Sequence, residues 1–63
     1  MKGYRLYFLD ANGHVVGIPI ELEAESDVDA AAQAESVRRG ARSELWAGPN
    51  RVREFSGGVL PTP

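Results

Sequence analysis

The stretch YRLYFLDANGHVVGIPIEL, residues 4–22, contains two apolar runs separated by DANG at residues 10–13. Asn-Gly between apolar runs is a strong signal for a β-hairpin. We therefore predict that residues 4–9 and 14–22 form two antiparallel strands. The rest of the chain is expected to cover one face of this hairpin.

The length of the loop sets which side chains share a face of the hairpin. A two-residue turn at Asn12-Gly13 leaves neither face cleanly apolar. A three-residue loop at 11–13, with Gly13 left-handed at a bulge, is a common hairpin loop for which Asp10 is well suited. This loop is preferred because it groups the apolar side chains. The predicted row is Tyr4, Leu6, Phe8, Val16, Ile18, Ile20 and Leu22, with Phe8 opposite Val16, Leu6 opposite Ile18 and Tyr4 opposite Ile20.

Two residues of the second strand carry further information. Pro19 has no N–H to donate, which places the strand at an edge of the sheet. Gly17 inside a strand indicates a bulge or a close contact, here opposite Tyr7.

The chain has 63 residues and no cysteine, which predicts one small domain with a marginal core. Disulfides are excluded, and one histidine without cysteine argues against a structural zinc site. Self-association is the remaining way to stabilise such a domain. The net charge of −2 identifies no partner by itself. No signal peptide or membrane-spanning stretch is visible, so a cytoplasmic protein is expected.

A helix is predicted at residues 27–39. Ser26 is its expected N-cap, with Asp29 at the third position, and Gly40 is placed to end it in the left-handed conformation. The side chains predicted to face the sheet are mostly small: Ala30, Ala31, Ala34, Val37 and Ala41.

The opposite side of the helix is expected to face water. It carries Gln33, Ser36 and Arg38, and Glu35 and Arg39 have the spacing of an (i, i+4) ion pair.

Residues 43–55, SELWAGPNRVREF, predict a second hairpin with its turn at residues 48–50. Leu45 and Val52 are its expected core residues. Trp46, Arg53 and Phe55 then fall on the opposite face. Residues 1–55 are predicted to form a single domain, and the Gly- and Pro-rich residues 56–63 a flexible C-terminal tail.

The element order is β-β-α-β-β, an α+β fold with one helix on a four-stranded, mostly antiparallel sheet. A right-handed crossover is expected for the helical connection. If the third strand lies beside the first, the strand order is 2-1-3-4; pairing of the third strand with the second is the alternative.

Three segments carry a resemblance to a known family: YRLYFLDANGH, the Ala-rich helix and ELWAGPNRV. Together they resemble very short, uncharacterised proteins of α-proteobacteria, in which an aromatic strand ends in D-x-[DN]-G and a late strand carries L-W-x-G. The similarity covers about residues 4–55. It implies the same architecture and adds no catalytic residue, because the family carries no assigned activity.

The sequence offers no recognisable catalytic set. His14, the one histidine, is interpreted as an exposed turn residue, and no phosphate-binding glycine motif occurs. We therefore predict a non-enzymatic protein without catalytic residues, cofactor or metal.

The sheet face opposite the helix is the predicted functional surface. Trp, Tyr and Arg are enriched at interface hot spots, and monomers rarely expose large apolar patches. Three occupants are compatible with such a surface: a second copy of the chain in a homodimer, another protein or peptide, and single-stranded nucleic acid stacked on the aromatic rings. The predicted residues are Arg5, Tyr7, Leu9, Trp46, Arg53 and Phe55, with Val15 beside them.

Overall fold

The structure, a computed structural model, describes residues 1–57. Within them one antiparallel sheet has the strand order β2-β1-β3-β4, and one helix packs on it. The predicted α+β class and strand order are confirmed, and the alternative pairing of the third strand with the second is wrong. No helix in this part of the chain is long and apolar enough to cross a membrane. The elements are β1 Lys2–Leu9, β2 Val15–Ala24, α1 Asp27–Arg38, β3 Ser43–Ala47 and β4 Asn50–Phe55.

Asp10 donates its N–H to the His14 carbonyl at 2.8 Å, so the hairpin loop closed by these two residues is the predicted one, residues 11–13. The Asp10 carboxylate accepts hydrogen bonds from the backbone N–H groups of Asn12 at 2.8 Å and His14 at 2.9 Å. Gly13 donates its N–H to the Asp10 carbonyl at 3.0 Å and has φ +84°, which favours glycine. Asp10 thus fixes the loop, and Phe8 lies opposite Val16 as predicted.

Beyond the loop, β2 contains a bulge. Phe8 pairs with Val16, but Leu6 pairs with Ile20, so three residues of β2 lie opposite one residue of β1. Gly17 adopts φ +74° within this segment, which confirms the bulge that its position in the strand predicted.

The bulge changes the predicted pairing. Tyr4 lies opposite Leu22 and Leu6 opposite Ile20, so the predicted partners Ile20 and Ile18 are wrong by two residues. Ile18 is 88% exposed instead of buried. Because the shift is two residues, the alternation of faces is preserved, and Ile20 and Leu22 still pack against the core.

In the sheet formed by residues 1–57, β2 is an edge strand, as the missing N–H of Pro19 predicted.

The helix begins and ends close to the predicted positions. The Ser26 hydroxyl accepts a hydrogen bond from the N–H of Asp29 at 3.2 Å, which is the expected N-cap. At the other end Arg39 (φ 53°) and Gly40 (φ 76°) are both left-handed, so the helix stops at Arg38.

Small side chains bring the helix onto the sheet. Ala30, Ala31 and Ala34 are buried, as predicted. Val37 is 39% exposed and Ala41 is exposed, so the predicted stripe is two residues too long. The left-handed turn after the helix places Ala41 outside it.

The helix crosses the sheet from the β2 side toward the β4 side. Near its middle, Gln33 Nε2 donates to the Glu23 carbonyl of β2 at 3.0 Å. At its end the Arg38 guanidinium lies 4.8 Å from the centroid of the Phe55 ring on β4. The buried residues of the core are Tyr4, Leu6, Ala24, Ala30, Ala31, Ala34, Leu45 and Phe55.

Arg38 is held between the helix and the end of β4 and does not face water. Its side chain is 13% exposed and pairs with Glu35 at 2.8 Å, so the predicted Glu35–Arg39 pair is replaced by an (i, i+3) pair. Nη1 also donates to the carbonyls of Ala41 at 2.8 Å and Ser56 at 3.1 Å. These hydrogen bonds connect the end of the helix to the residue that follows β4.

The second hairpin differs from its prediction in two places. The turn is the two residues Gly48-Pro49, and Asn50 already belongs to β4, opposite Ala47. Gly48 has φ +59°, which suits a turn that needs glycine at its first central position. Val52 forms a second bulge, because Leu45 pairs with Arg53 and the next residue, Trp46, pairs with Arg51.

The sequence predicts a flexible C-terminal tail at residues 56–63. Most of that tail, residues 58–63, lies outside the described part of the chain.

A hydrogen bond between two side chains joins the sheet to the start of the helix. Tyr4 Oη donates to Asp27 Oδ1 at 2.7 Å, and this bond, together with burial, raises the pKa of Tyr4 from 10.0 to about 12. The folded chain therefore holds the phenol proton more tightly than the unfolded chain. The resulting stabilisation is complete below pH 10 and is lost as the pH rises toward 12.

We expect the urea midpoint of the wild-type protein to fall over this pH interval, and the fall to be smaller in Tyr4→Phe. Tyr7→Phe is the matched control. It removes a phenol hydroxyl that does not contact Asp27, so its urea midpoint should fall as much as that of the wild type. An equal fall in wild type and Tyr4→Phe would show that the Tyr4–Asp27 bond is not its cause.

Candidate interaction surface

The open face is the side of the sheet opposite the helix, and within residues 1–57 no element covers it. The alternation of the strands and their register assign the residues that share it. It consists of Gly3, Arg5, Tyr7, Leu9, Val15, Glu21, Glu23, Glu44, Trp46, Arg51 and Glu54.

Four of the six predicted surface residues lie on the open face. Arg5, Tyr7 and Leu9 alternate along β1 with the buried side chains of the core. Trp46 lies directly opposite Arg5 on β3. The strand pairing therefore brings these four residues together as predicted.

The other two predicted residues, Arg53 and Phe55, do not lie on the open face. Trp46 pairs with Arg51 and Leu45 pairs with Arg53, so Val52 is an extra residue in β4. One extra residue reverses the alternation of side chains, and this bulge is the physical reason for the error.

The reversal places both residues on the helix side. Phe55 is 4% exposed and belongs to the core. The Arg53 guanidinium lies 5.5 Å from the Phe55 ring centroid, and Arg38 lies 4.8 Å from the same ring. Arg53 and Phe55 are therefore removed from the candidate surface.

At the centre of the open face a glutamate, which the sequence did not indicate, contacts both a tryptophan and an arginine. Glu44 Oε1 accepts a hydrogen bond from Trp46 Nε1 at 3.0 Å, and Oε2 lies 3.4 Å from Arg51 Nη1. Glu44 is also directly opposite Tyr7. The available signal was its position two residues before Trp46, which places both side chains on one face of a strand.

A second ion pair crosses from β1 to the edge strand. Arg5 Nη2 lies 3.7 Å from Glu21 Oε2, and both side chains are largely exposed. Exposed pairs of this kind contribute about 0–1 kcal/mol, so this pair orders the face more than it stabilises the fold.

The side chains enclose a shallow concavity between β2, β1 and β3. Its volume is about 590 Å³, and its lining includes Arg5, Tyr7, Glu21, Glu23, Trp46 and Gly48. Two aromatic side chains thus line a concave surface together with carboxylates.

The remaining titratable candidate, His14, lies on the loop. Its Nδ1 is 4.0 Å from the Asp10 carboxylate, and the ring is exposed. Among residues 1–57 no group of three His, Asp or Glu side chains is placed to hold a metal ion.

Comparison of the chain with protein-family models, curated proteins and solved structures finds no match. The resemblance to short α-proteobacterial proteins therefore stays a prediction. The geometry of the surface is the basis for proposing a function.

Proposed function

We propose that the chain is a small, non-enzymatic interaction module that binds protein through its open face. The occupant is either a second copy of the chain or a different protein. As part of the same proposal, the module acts in the cytoplasm.

The observation that supports this proposal is the pairing of β1 with β3. It places Tyr7 and Trp46 together on an uncovered sheet face, around a concavity of about 590 Å³. Aromatic side chains bury a large area on binding and are frequent hot spots of protein interfaces.

Single-stranded nucleic acid is the other candidate from the sequence, and the charges support it less well. Both arginines of the open face are in ion pairs, Arg5 with Glu21 and Arg51 with Glu44. A phosphate backbone would have to compete with these carboxylates for each arginine.

The proposal predicts that Trp46→Ala weakens association without unfolding the protein. Truncation of an interface hot spot costs about 2 kcal/mol or more, so the Kd of self-association should rise more than about tenfold. Light scattering over a wide range of concentrations measures the association, and far-UV circular dichroism checks the helix.

Val28→Ala is the matched control, because Val28 is an exposed apolar residue on the helix. It should leave association unchanged. If wild-type protein associates and Trp46→Ala associates equally well, the open face is not the site. If wild-type protein is monomeric throughout, self-association is removed and the open face is left for a different protein.

A further inference from the structure

The excess of negative over positive charge in the chain lies on the open face. This face carries two arginines and four glutamates. The whole chain has seven basic and nine acidic side chains, so five of each remain elsewhere and cancel. The formal net charge of −2 therefore lies entirely on the open face.

The cations of the face are already compensated, and part of its negative charge is not. Arg5 and Arg51 pair with Glu21 and Glu44. Among residues 1–57, Glu23 and Glu54 have no ion-pair partner within 4.0 Å. Their carboxylates are available to a positively charged partner.

Two of the glutamates also oppose each other. Glu44 and Glu54 are directly opposite on β3 and β4, an arrangement in which like charges reduce stability. A cation placed between them would relieve this repulsion.

The centre of the face has the chemistry that binds a guanidinium or ammonium group. Trp46 is fixed by its hydrogen bond to Glu44, and Tyr7 lies opposite the same glutamate. Cations bind to the faces of aromatic rings, most strongly to tryptophan. The unpaired carboxylate of Glu23 lines the same concavity as both rings and can add an ion pair.

A second copy of the chain fits this face poorly. Two open faces packed against each other would bring eight glutamates together with four arginines. Each arginine already pairs with one glutamate, so four glutamates would have no basic partner. Like charges juxtaposed in an interface weaken binding and select against the wrong partner.

We propose that the open face binds an extended, Arg- or Lys-rich segment of a partner protein, with one cationic side chain in the concavity at Trp46, Tyr7 and the unpaired Glu23. This inference rests on the proposed function and names the chemistry of its partner. Opposite charge speeds the encounter, and the aromatic contact holds the cation in place.

The test is a fluorescence titration, because Trp46 is the only tryptophan of the chain and reports on its own surface. The probe is a short, end-capped peptide of alternating arginine and serine. A glutamate–serine peptide and a short thymidine oligonucleotide serve as comparisons. We expect saturable binding of the basic peptide alone, weakening as NaCl rises from about 50 mM to about 500 mM.

Glu23→Gln removes an unpaired charge beside the two aromatic rings and leaves the contacts of Glu44 with Trp46 and Arg51 in place. It should raise the Kd at least about fivefold. Glu25→Gln is the matched control, because Glu25 is exposed and lies outside the open face. Circular dichroism verifies that both variants are folded.

Equal effects of Glu23→Gln and Glu25→Gln would show diffuse charge attraction and overturn the inference. Preferential binding of the oligonucleotide would overturn it as well. If no peptide binds but self-association depends on Trp46, the basic partner is rejected and the proposed function remains. If neither occurs, the basic partner and self-association are both rejected.

Discussion

Phe55→Ala is expected to lower the free energy of unfolding by about 3–5 kcal/mol, the usual cost of truncating a buried phenylalanine. The ring is 4% exposed, lies in the core and contacts the guanidinium groups of Arg38 and Arg53. Domains of this size are stable by only a few kcal/mol, so much of the variant should be unfolded at 25 °C. Urea unfolding followed by circular dichroism measures the loss.

Tyr7→Ala is the matched control, because it truncates an aromatic side chain on the open face. We expect a clearly smaller loss of stability from it. Comparable losses in the two variants would contradict the bulge at Val52, since the unbroken alternation of β4 would place Phe55 on the open face with Tyr7.

The parts of the fold that the sequence predicted well have local chemical signals. Asn12-Gly13 after Asp10 predicted the loop, and in the structure the Asp10 carboxylate accepts hydrogen bonds from two backbone N–H groups there. Ser26 predicted the start of the helix, and Pro19 predicted the edge strand. Asp10 and Ser26 each accept hydrogen bonds from backbone N–H groups, and Pro19 has no backbone N–H to donate, so each signal concerns a specific backbone hydrogen bond.

The two bulges show why the remainder was harder to predict. Gly17 marks the first bulge, but nothing in its sequence shows that the register shifts by two residues. That shift preserves the faces, so the apolar row kept Ile20 and Leu22, whereas Ile18 and Val16 are exposed. Only burial of the whole sheet selects this register.

The second bulge has no comparable signal and had the larger consequence. Val52 is an ordinary strand residue, yet it shifts the register by one and moves Arg53 and Phe55 to the helix side. The long Arg38 side chain then covers the Phe55 ring. This contact joins residues far apart in sequence, and helix propensity or strand alternation cannot reveal it.

The same limit applies to the candidate surface. Alternation along β1 identified Arg5, Tyr7 and Leu9 correctly. The network of Glu44 with Trp46 and Arg51 depends on the register between strands and became visible only in the structure.

A larger side chain on the buried face of the helix is expected to destabilise the fold. Ala30 and Ala34 are fully buried, and their small size allows the helix to lie close to the sheet. Ala34→Leu adds volume where none is available and should cost about 1–3 kcal/mol by forcing the helix away from the sheet. The loss is measured as a lower urea midpoint with an unchanged m-value, which shows that the surface exposed on unfolding is conserved.

Ala32→Leu makes the same substitution at an exposed position of the same helix. Ala and Leu have similar helix propensities, so this control should change stability by no more than about 0.5 kcal/mol. A large difference between the variants would therefore measure packing alone, separate from helix formation. If Ala34→Leu were as stable as Ala32→Leu, the helix would not lie close to the sheet at this position, and the large side chains of β1 and β3 would have to fill the core without it.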